Sequence, residues 1–425
     1  ATSWSHIVEQ SGLTLVQIEQ AARIYRNASN VIFCWAMGIT QHHHGVATIQ
    51  EIVNLQLLGG NVARPGAGLC PVRGHSNVQG DRTMGINERP SELFLDRLAQ
   101  TFDFEPPRHP GHNTVEAIGA MLSGAARVFI GLGGNFAQVQ ISTKLNRSHL
   151  MVGKEALILP CLGRTDIDRQ CSGVQCVTVE DSFSMVHASF GQLEPISGEI
   201  RSEPWIVAGI AHATLGASPL DWLAMRDDYR LIRIAIAKVM PEFENFEERL
   251  ANPGGFHLPN SASSRKWQTP SGKAQFSINP LPSSLIHEKV LASGQVHDLI
   301  LQSLRSHDQY NTTVYSLNDR YRGVSGQRNI VFINQLDITK LGFVAGQEVD
   351  LVSLWNDGVD RRVKRFTLLP YDIPVGQAAA YYPEINPLVP LDSYGVGSFT
   401  PASKFIPIKL YSHDGCEQQS VLIRR

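Results

Sequence analysis

The chain has 425 residues, with 37 Lys or Arg against 39 Asp or Glu, so its formal charge is −2. That balance disfavours a strongly basic nucleic-acid binder, and 43% apolar residues with only 18% charged exclude a disordered chain. The length suggests two or three domains, no apolar run approaches the ~20 residues of a membrane span, and no basic-then-apolar leader opens the chain.

In chain order, Leu13, Val16, Ile18, Ala21, Ala22 and Ile24 fall near helical spacing and predict an amphipathic helix over 13–26. Residues 31–37 form a short apolar run ending at Gly38, which suits a buried strand. Residues 46–58 are again helical, with Gly59-Gly60 as the stop signal. Helix, strand, helix marks an α/β unit, one that lacks its earlier strands. Residues 61–113 are rich in Gly, Pro, Arg and Asn with little periodicity, and a long irregular stretch inside a domain signals function. A helix is expected over 114–124, strands over 127–132 and 156–159, helices over 203–215 and 228–240, and a linker over 252–296. After it the pattern changes to strands at 298–304, 329–333, 348–353, 363–369 and 406–410, with a short helix at 335–342. This second part reads as a compact β-barrel.

Six cysteines, at 34, 70, 161, 171, 176 and 416, include no C-x-x-C pair. They are too sparse for a disulfide framework and fit a reducing, cytoplasmic compartment. The five-residue spacing of Cys171 and Cys176 is a weak metal pattern.

Several loops carry candidate chemistry. The turn Gly131-Leu132-Gly133-Gly134-Asn135 follows an expected strand, and amides freed by glycines there can bind phosphate. Gly131 and Gly133 match the first two glycines of G-x-G-x-x-G, but Phe136 stands at the third, which disfavours an ordinary nicotinamide site. No Walker motif is present. The stretch from Cys70 to Asp81 sets Arg73, His75, Asn77, Gln79 and Asp81 between glycines, a donor-rich loop suited to a large polar ligand. His42-His43-His44 points in different directions along an extended loop, so a polar strand-to-helix loop is favoured over a metal site. In the second part, residues 303–311, 381–387 and 398–404 form three polar loops best explained by a shared ligand.

At these residues a family likeness emerges. Pro71-Val72-Arg73-Gly74-His75-Ser76-Asn77-Val78-Gln79-Gly80 resembles the P-V-R-G-x-x-N-V-Q-G stretch of molybdopterin oxidoreductases of the formate-dehydrogenase alpha-subunit type. Residues 34–38 with Thr40-Gln41, the G-G-N-x-x-R-P-G-x-G core within 58–68, and Ile158-Leu159-Pro160 resemble the same family. So do Asn334-Gln335-Leu336-Asp337 with Leu341-Gly342 and Gly346-Gln347, and Ser403-Lys404. Residues 144–149 and 161–164 look closest to its stand-alone YdeP-like branch.

The resemblance implies an α/β fold: Rossmann-like domains, the first incomplete, followed by a six-stranded double-psi β-barrel. It divides the chain into 1–75 (end of the first α/β domain), 76–290 (second α/β domain) and 297–425 (barrel). It implies molybdopterin guanine dinucleotide (bis-MGD) with Mo or W, and two-electron chemistry on a small substrate, formate being the family example. The family's N-terminal domain, its Cys or selenocysteine metal ligand and any [4Fe-4S] cluster would precede Ala1. The chain then reads as a C-terminal portion whose partners are that missing part and an electron-transfer protein. Arg73 is the family arginine and His75 stands where Gln is frequent, giving the catalytic candidates. The cofactor-binding candidates are Gly38, Thr40, Gln41, Asn77, Gln79, Gly131, Gly133, Asn135, Lys144, Asn146, Arg147, Arg305, His307, Gln309, Tyr310, Asn386 and Lys404. No metal ligand is nominated. Two other readings stay open: a catalytically silent cofactor-binding module, and a nucleotide-dependent α/β enzyme without molybdenum.

Overall fold

The computed structural model describes residues 2–75, 77–133, 157, 159–307, 309–310, 312–313 and 317–413, with the backbone alone at 309, 310, 312 and 313. Two helices, Trp4–Ser11 and Leu15–Asn27, come first. Ser3 caps the first; Thr14 and Gln17 form a reciprocal capping box on the second. Strand β1 (Ile32–Trp35) runs parallel to β2 (Gly68–Pro71), placing Cys34 opposite Cys70. Parallel strands need a crossover, and the helix Gly45–Leu58 provides it. The sequence reading found β1 and this helix but missed β2, which is four residues long and flanked by Gly and Pro.

Buried amides lock this unit. The Gln56 side chain is fully buried, and its Nε2 donates to the Val31 carbonyl at 3.0 Å and the Gly68 carbonyl at 2.7 Å. Asn61 accepts from the Val31 amide at 3.2 Å and donates to Tyr25 Oη at 3.1 Å. A Cβ at Gly59 would sit 2.2 Å from the Tyr25 hydroxyl oxygen, so the G-G-N motif reads here as a packing requirement.

The middle of the chain alternates helices (Val78–Thr83, Glu92–Phe102, Thr114–Ser123, Glu203–Leu215, Trp222–Asp227, Tyr229–Val239 and Phe246–Leu250) with short antiparallel strands. These are β3 (Arg169–Gln170), β4 (Gly173–Val174), β5 (Val177–Glu180), β6 (Met185–Ser189) and β7 (Phe256–His257). Val186, Val239, Phe243, Phe246 and Phe256 form their shared core. The helix Glu92–Phe102 lies in a stretch read as irregular. The strand expected at 127–132 is not formed; these residues are irregular and Val128 is 81% exposed. An apolar run becomes a strand only with a ladder partner, and among the described residues none lies beside it. Leu157 and Leu159 are likewise irregular, and the rest of the strand expected at 156–159 lies outside the described residues.

The last third is a closed barrel. After β8 (Leu299–Leu304), β9 (Gln309–Tyr310) and β10 (Thr312–Thr313) make a small hairpin, followed by β11 (Ile330–Ile333), β12 (Glu348–Ser353), β13 (Arg362–Pro370), β14 (Gln377–Tyr381) and β15 (Ile406–Ser412). The barrel order is β11-β13-β12-β15-β8-β14, closing back on β11. The β11–β13 and β8–β14 pairs are parallel and the others antiparallel. Leu299, Leu301, Val331, Ile333, Val349, Leu351 and Leu368 fill the interior. Strand β14 holds three consecutive alanines, Ala378 to Ala380, buried on both faces. Asn334 caps the helix Gln335–Lys340, and Asp337 accepts the Gly376 amide at 2.7 Å, which ties that helix to the start of β14. Among the described residues no helix is long and apolar enough to cross a membrane.

Candidate functional site

Strands β8 and β14 are parallel, with Ser303 opposite Ala380 and Leu304 opposite Tyr381. Both therefore end on the same rim and deliver Arg305 and Tyr382 together; the Arg305 guanidinium lies 4.9 Å above the Tyr382 ring. Facing them is the turn after β1, where the short helix Met37–Thr40 presents Met37 and Gln41. Between the two lies a cavity of about 380 Å³, lined also by Asn386, Ser403, Lys404 and the helix residues Thr114, Val115 and Ile118.

A hydrogen-bonded seam joins its walls. Ser303 Oγ donates to Ser403 Oγ at 3.0 Å, and Ser403 Oγ to Gln41 Oε1 at 3.1 Å. The Lys404 amide donates to the Gln41 carbonyl at 3.1 Å, while its Nζ is held by the Ser303 carbonyl. Burial, with Arg305 and Arg322 nearby, lowers the Lys404 ammonium to about 8. Burial raises the Tyr382 phenol to about 12, opposed by Arg305. The cleft thus concentrates two cations, two amide side chains and hydroxyls on one apolar floor, a donor set for a planar ligand bearing anionic groups.

A buried polar network behind the rim fixes these groups. Arg328 donates to Glu384 at 2.6 and 3.2 Å, to Ser306 Oγ at 2.7 Å and to the Tyr382 carbonyl at 3.0 Å. Tyr381 Oη donates to Asp319 at 2.9 Å; Arg322 meets the same carboxylate at 2.6 Å and the Arg305 carbonyl at 3.3 Å. Arg328, Asp319 and Arg322 went unread in the sequence, because nothing in an isolated Arg or Asp signals burial.

Of the residues nominated by sequence, Gln41, Arg305, Asn386 and Lys404 line the cleft. Gly38 and Thr40 lie on the short helix beside Gln41 without lining it. His307 sits beyond Arg305, with Nε2 2.5 Å from Arg320 and its ring against Tyr321. Arg73 is exposed and donates to Gln79 Oε1 at 3.2 Å; His75 is exposed beside it. Asn77 accepts the Glu180 amide at 3.1 Å and so anchors that loop to β5. Gly131 and Gly133 lie on the irregular segment, and a Cβ at Gly133 would meet the Glu203 carboxylate at 2.6 Å. Gln309 and Tyr310 form β9. Asn135, Lys144, Asn146 and Arg147 lie outside the described residues. Ser303, Tyr382 and Ser403 were not nominated individually, but each falls in one of the three polar loops, 303–311, 381–387 and 398–404, assigned to a shared ligand, and all three line the cleft.

The histidine tract is a seam against the barrel. His43 Nδ1 pairs with the Tyr394 carbonyl at 2.9 Å, and the Val396 amide donates to the His43 carbonyl at 2.9 Å. Burial lowers the pKa of His42 and of His44. Among the described residues no three His, Cys, Asp or Glu side chains are grouped to hold a metal ion.

No family model matches the chain. It is 49% identical over 95% of its length to the uncharacterized oxidoreductase Rv2900c of Mycobacterium tuberculosis, covering 54% of that protein. It is 44% identical over 96% of its length to YdeP of Escherichia coli K12, covering 56% of it. The chain is a homologue of proteins named as oxidoreductases. It spans about half the length of these curated relatives. A stretch of 115 residues, 25% of this chain and 16% of the other, is 44% identical to formate dehydrogenase H of E. coli. The fold is that of acetylene hydratase from Pelobacter acetylenicus over 94% of this chain and 63% of that one, with a TM-score of 0.59 at 14% identity.

Proposed function

We propose that this chain is the cofactor-binding part of a molybdopterin oxidoreductase, with the cleft between residues 37–41 and the barrel rim holding molybdopterin guanine dinucleotide. The donor set carries the reading: Lys404 and Arg305 suit phosphate oxygens, and Gln41, Asn386 and Ser403 suit the hydrogen-bonding edge of a pterin. The local identity with formate dehydrogenase H supports it. On this reading the barrel is of the double-psi type and residues 1–75 and 76–290 are parts of two Rossmann-like domains. The bis-MGD cofactor, with Mo or W, would supply two-electron redox chemistry for a small substrate such as formate. The chain's own residues bind, orient and exclude water: Lys404 and Arg305 neutralise phosphate charge, Ser303 and Ser403 fix Gln41, and Arg73 presents a cation at the mouth of the β2 loop. Polypeptide corresponding to the remaining length of the relatives would supply the metal ligand and any [4Fe-4S] cluster, and an electron-transfer partner would complete the cycle.

Metal and pterin analysis of full-length protein tests this reading. Stoichiometric pterin in the wild type, strongly reduced in Lys404→Ala and Arg305→Ala, is expected; a folded wild type purified after expression with molybdate and free of pterin would overturn it. Bound pterin without any two-electron turnover would favour the silent binding module.

A further inference from the structure

We propose that Cys34 and Cys70 form a reversible disulfide that pins β1 to β2 at the base of two cleft-side loops. The two residues are in-register partners on neighbouring parallel strands. Such strands lie ~4.8 Å apart and partners across the pair share a face, so the Cα separation falls inside the roughly 4.4–6.8 Å window of disulfides. Burial raises the pKa of the Cys70 thiol, and the neighbouring Cys34 thiol raises it further. Cys34 is exposed and Cys70 half-buried, so the first meets an oxidant and the second resolves it. Among the described residues no other strand pair sets cysteine against cysteine.

The geometry points to a labile bond. Between parallel partners the Cβ atoms stay about as far apart as the strands, whereas a disulfide prefers roughly 3.8 Å. Closing it draws the strands together and strains the link, and strained disulfides are the easily reduced ones. The effect falls on the loops. Cys34 immediately precedes Trp35 and the 37–41 turn; Cys70 precedes the 72–79 loop with Arg73; and the Val72 amide already donates to the Trp35 carbonyl at 2.7 Å.

The oxidant is a hydroperoxide. The Cys34 thiolate attacks the peroxide oxygen, the O–O bond breaks, and sulfenic acid and an alcohol or water form. Cys70 sulfur then attacks the Cys34 sulfur, the S–O bond breaks, and hydroxide leaves as water with the Cys70 proton. Two thiols lose two electrons and the peroxide gains them; a dithiol reverses the step.

The test treats the 425-residue chain with equimolar hydrogen peroxide, alkylates free thiols, and maps peptides by mass spectrometry without reduction. A Cys34–Cys70 link that dithiothreitol removes, and slower hydrogen exchange over 37–41 and 72–79 in the oxidised chain, are expected. Cys34→Ser and Cys70→Ser should each lose the link. The mapping on wild type stands if a variant fails to fold, and treatment in urea gives the scrambled-pairing reference. Cys34 over-oxidised to sulfinate with Cys70 still alkylated, or native pairing no more selective than in urea, would overturn the proposal. Unchanged exchange despite the link would overturn the pinning of the loops.

Discussion

Lys404 is the residue on which the cleft's electrostatics turn. Its ammonium titrates at about 8, lowered mainly by burial and then by Arg305 and Arg322, against an ordinary 10.5. Between those values the unfolded chain holds the proton more tightly than the folded one, so this residue's contribution to stability rises with pH across that window. Affinity for an anion runs the other way, falling as the ammonium is lost. Pyrophosphate binding followed by calorimetry from pH 7 to 10 should therefore weaken above about pH 8 in the wild type and stay flat in Lys404→Arg. Lys404→Ala should lose roughly 10- to 100-fold at pH 7, the scale of a charge-assisted hydrogen bond. Arg73 predicts a different split. It is exposed and donates a hydrogen bond to Gln79, so in full-length enzyme Arg73→Ala should lower turnover more than pterin content; parallel complete loss of both would make it structural.

At the scale of elements, the β1–β2 unit rests on the fully buried Gln56 amide. Gln56→Leu removes the donor that the half-buried Val31 and Gly68 carbonyls share and should cost about 1–3 kcal/mol in urea denaturation. Its helix was legible from apolar spacing and the Gly59-Gly60 stop, but the amide was not, since a glutamine in such a helix looks like a solvated position. The barrel strands were legible as apolar runs except β14, whose alanines favour helix as much as strand. Residues 127–132 misled for the opposite reason: the run is apolar but pairs with no strand among the described residues. Of the cleft, Gln41, Arg305, Asn386 and Lys404 came from loop chemistry and motif likeness. Ser303 fell within the polar 303–311 stretch but was not singled out because it also ends an apolar strand, and the Asp319, Arg322 and Arg328 supports were hidden because they reach the site only through the barrel's topology.

Across the whole molecule, stability is unevenly distributed. The helices Trp4–Ser11 and Leu15–Asn27 contain no buried residue, whereas the barrel interior is closed on all sides. Hydrogen exchange should show amides of β8, β11, β12 and β14 protected longest and those of residues 4–27 exchanging early; equal protection of the two regions would contradict this distribution. The three alanines of β14 carry a further consequence. With Ala378 and Ala380 facing the interior, Ala379 facing Phe332 and Tyr381, and no solvent on either side, neither face has room for a larger side chain. A saturation library should therefore accept little beyond Gly, Ser and Cys along this wall, while the loops at its ends tolerate broad replacement. Evolutionary change in ligand preference is thereby channelled into the rim, which can diversify while the wall beneath it stays fixed.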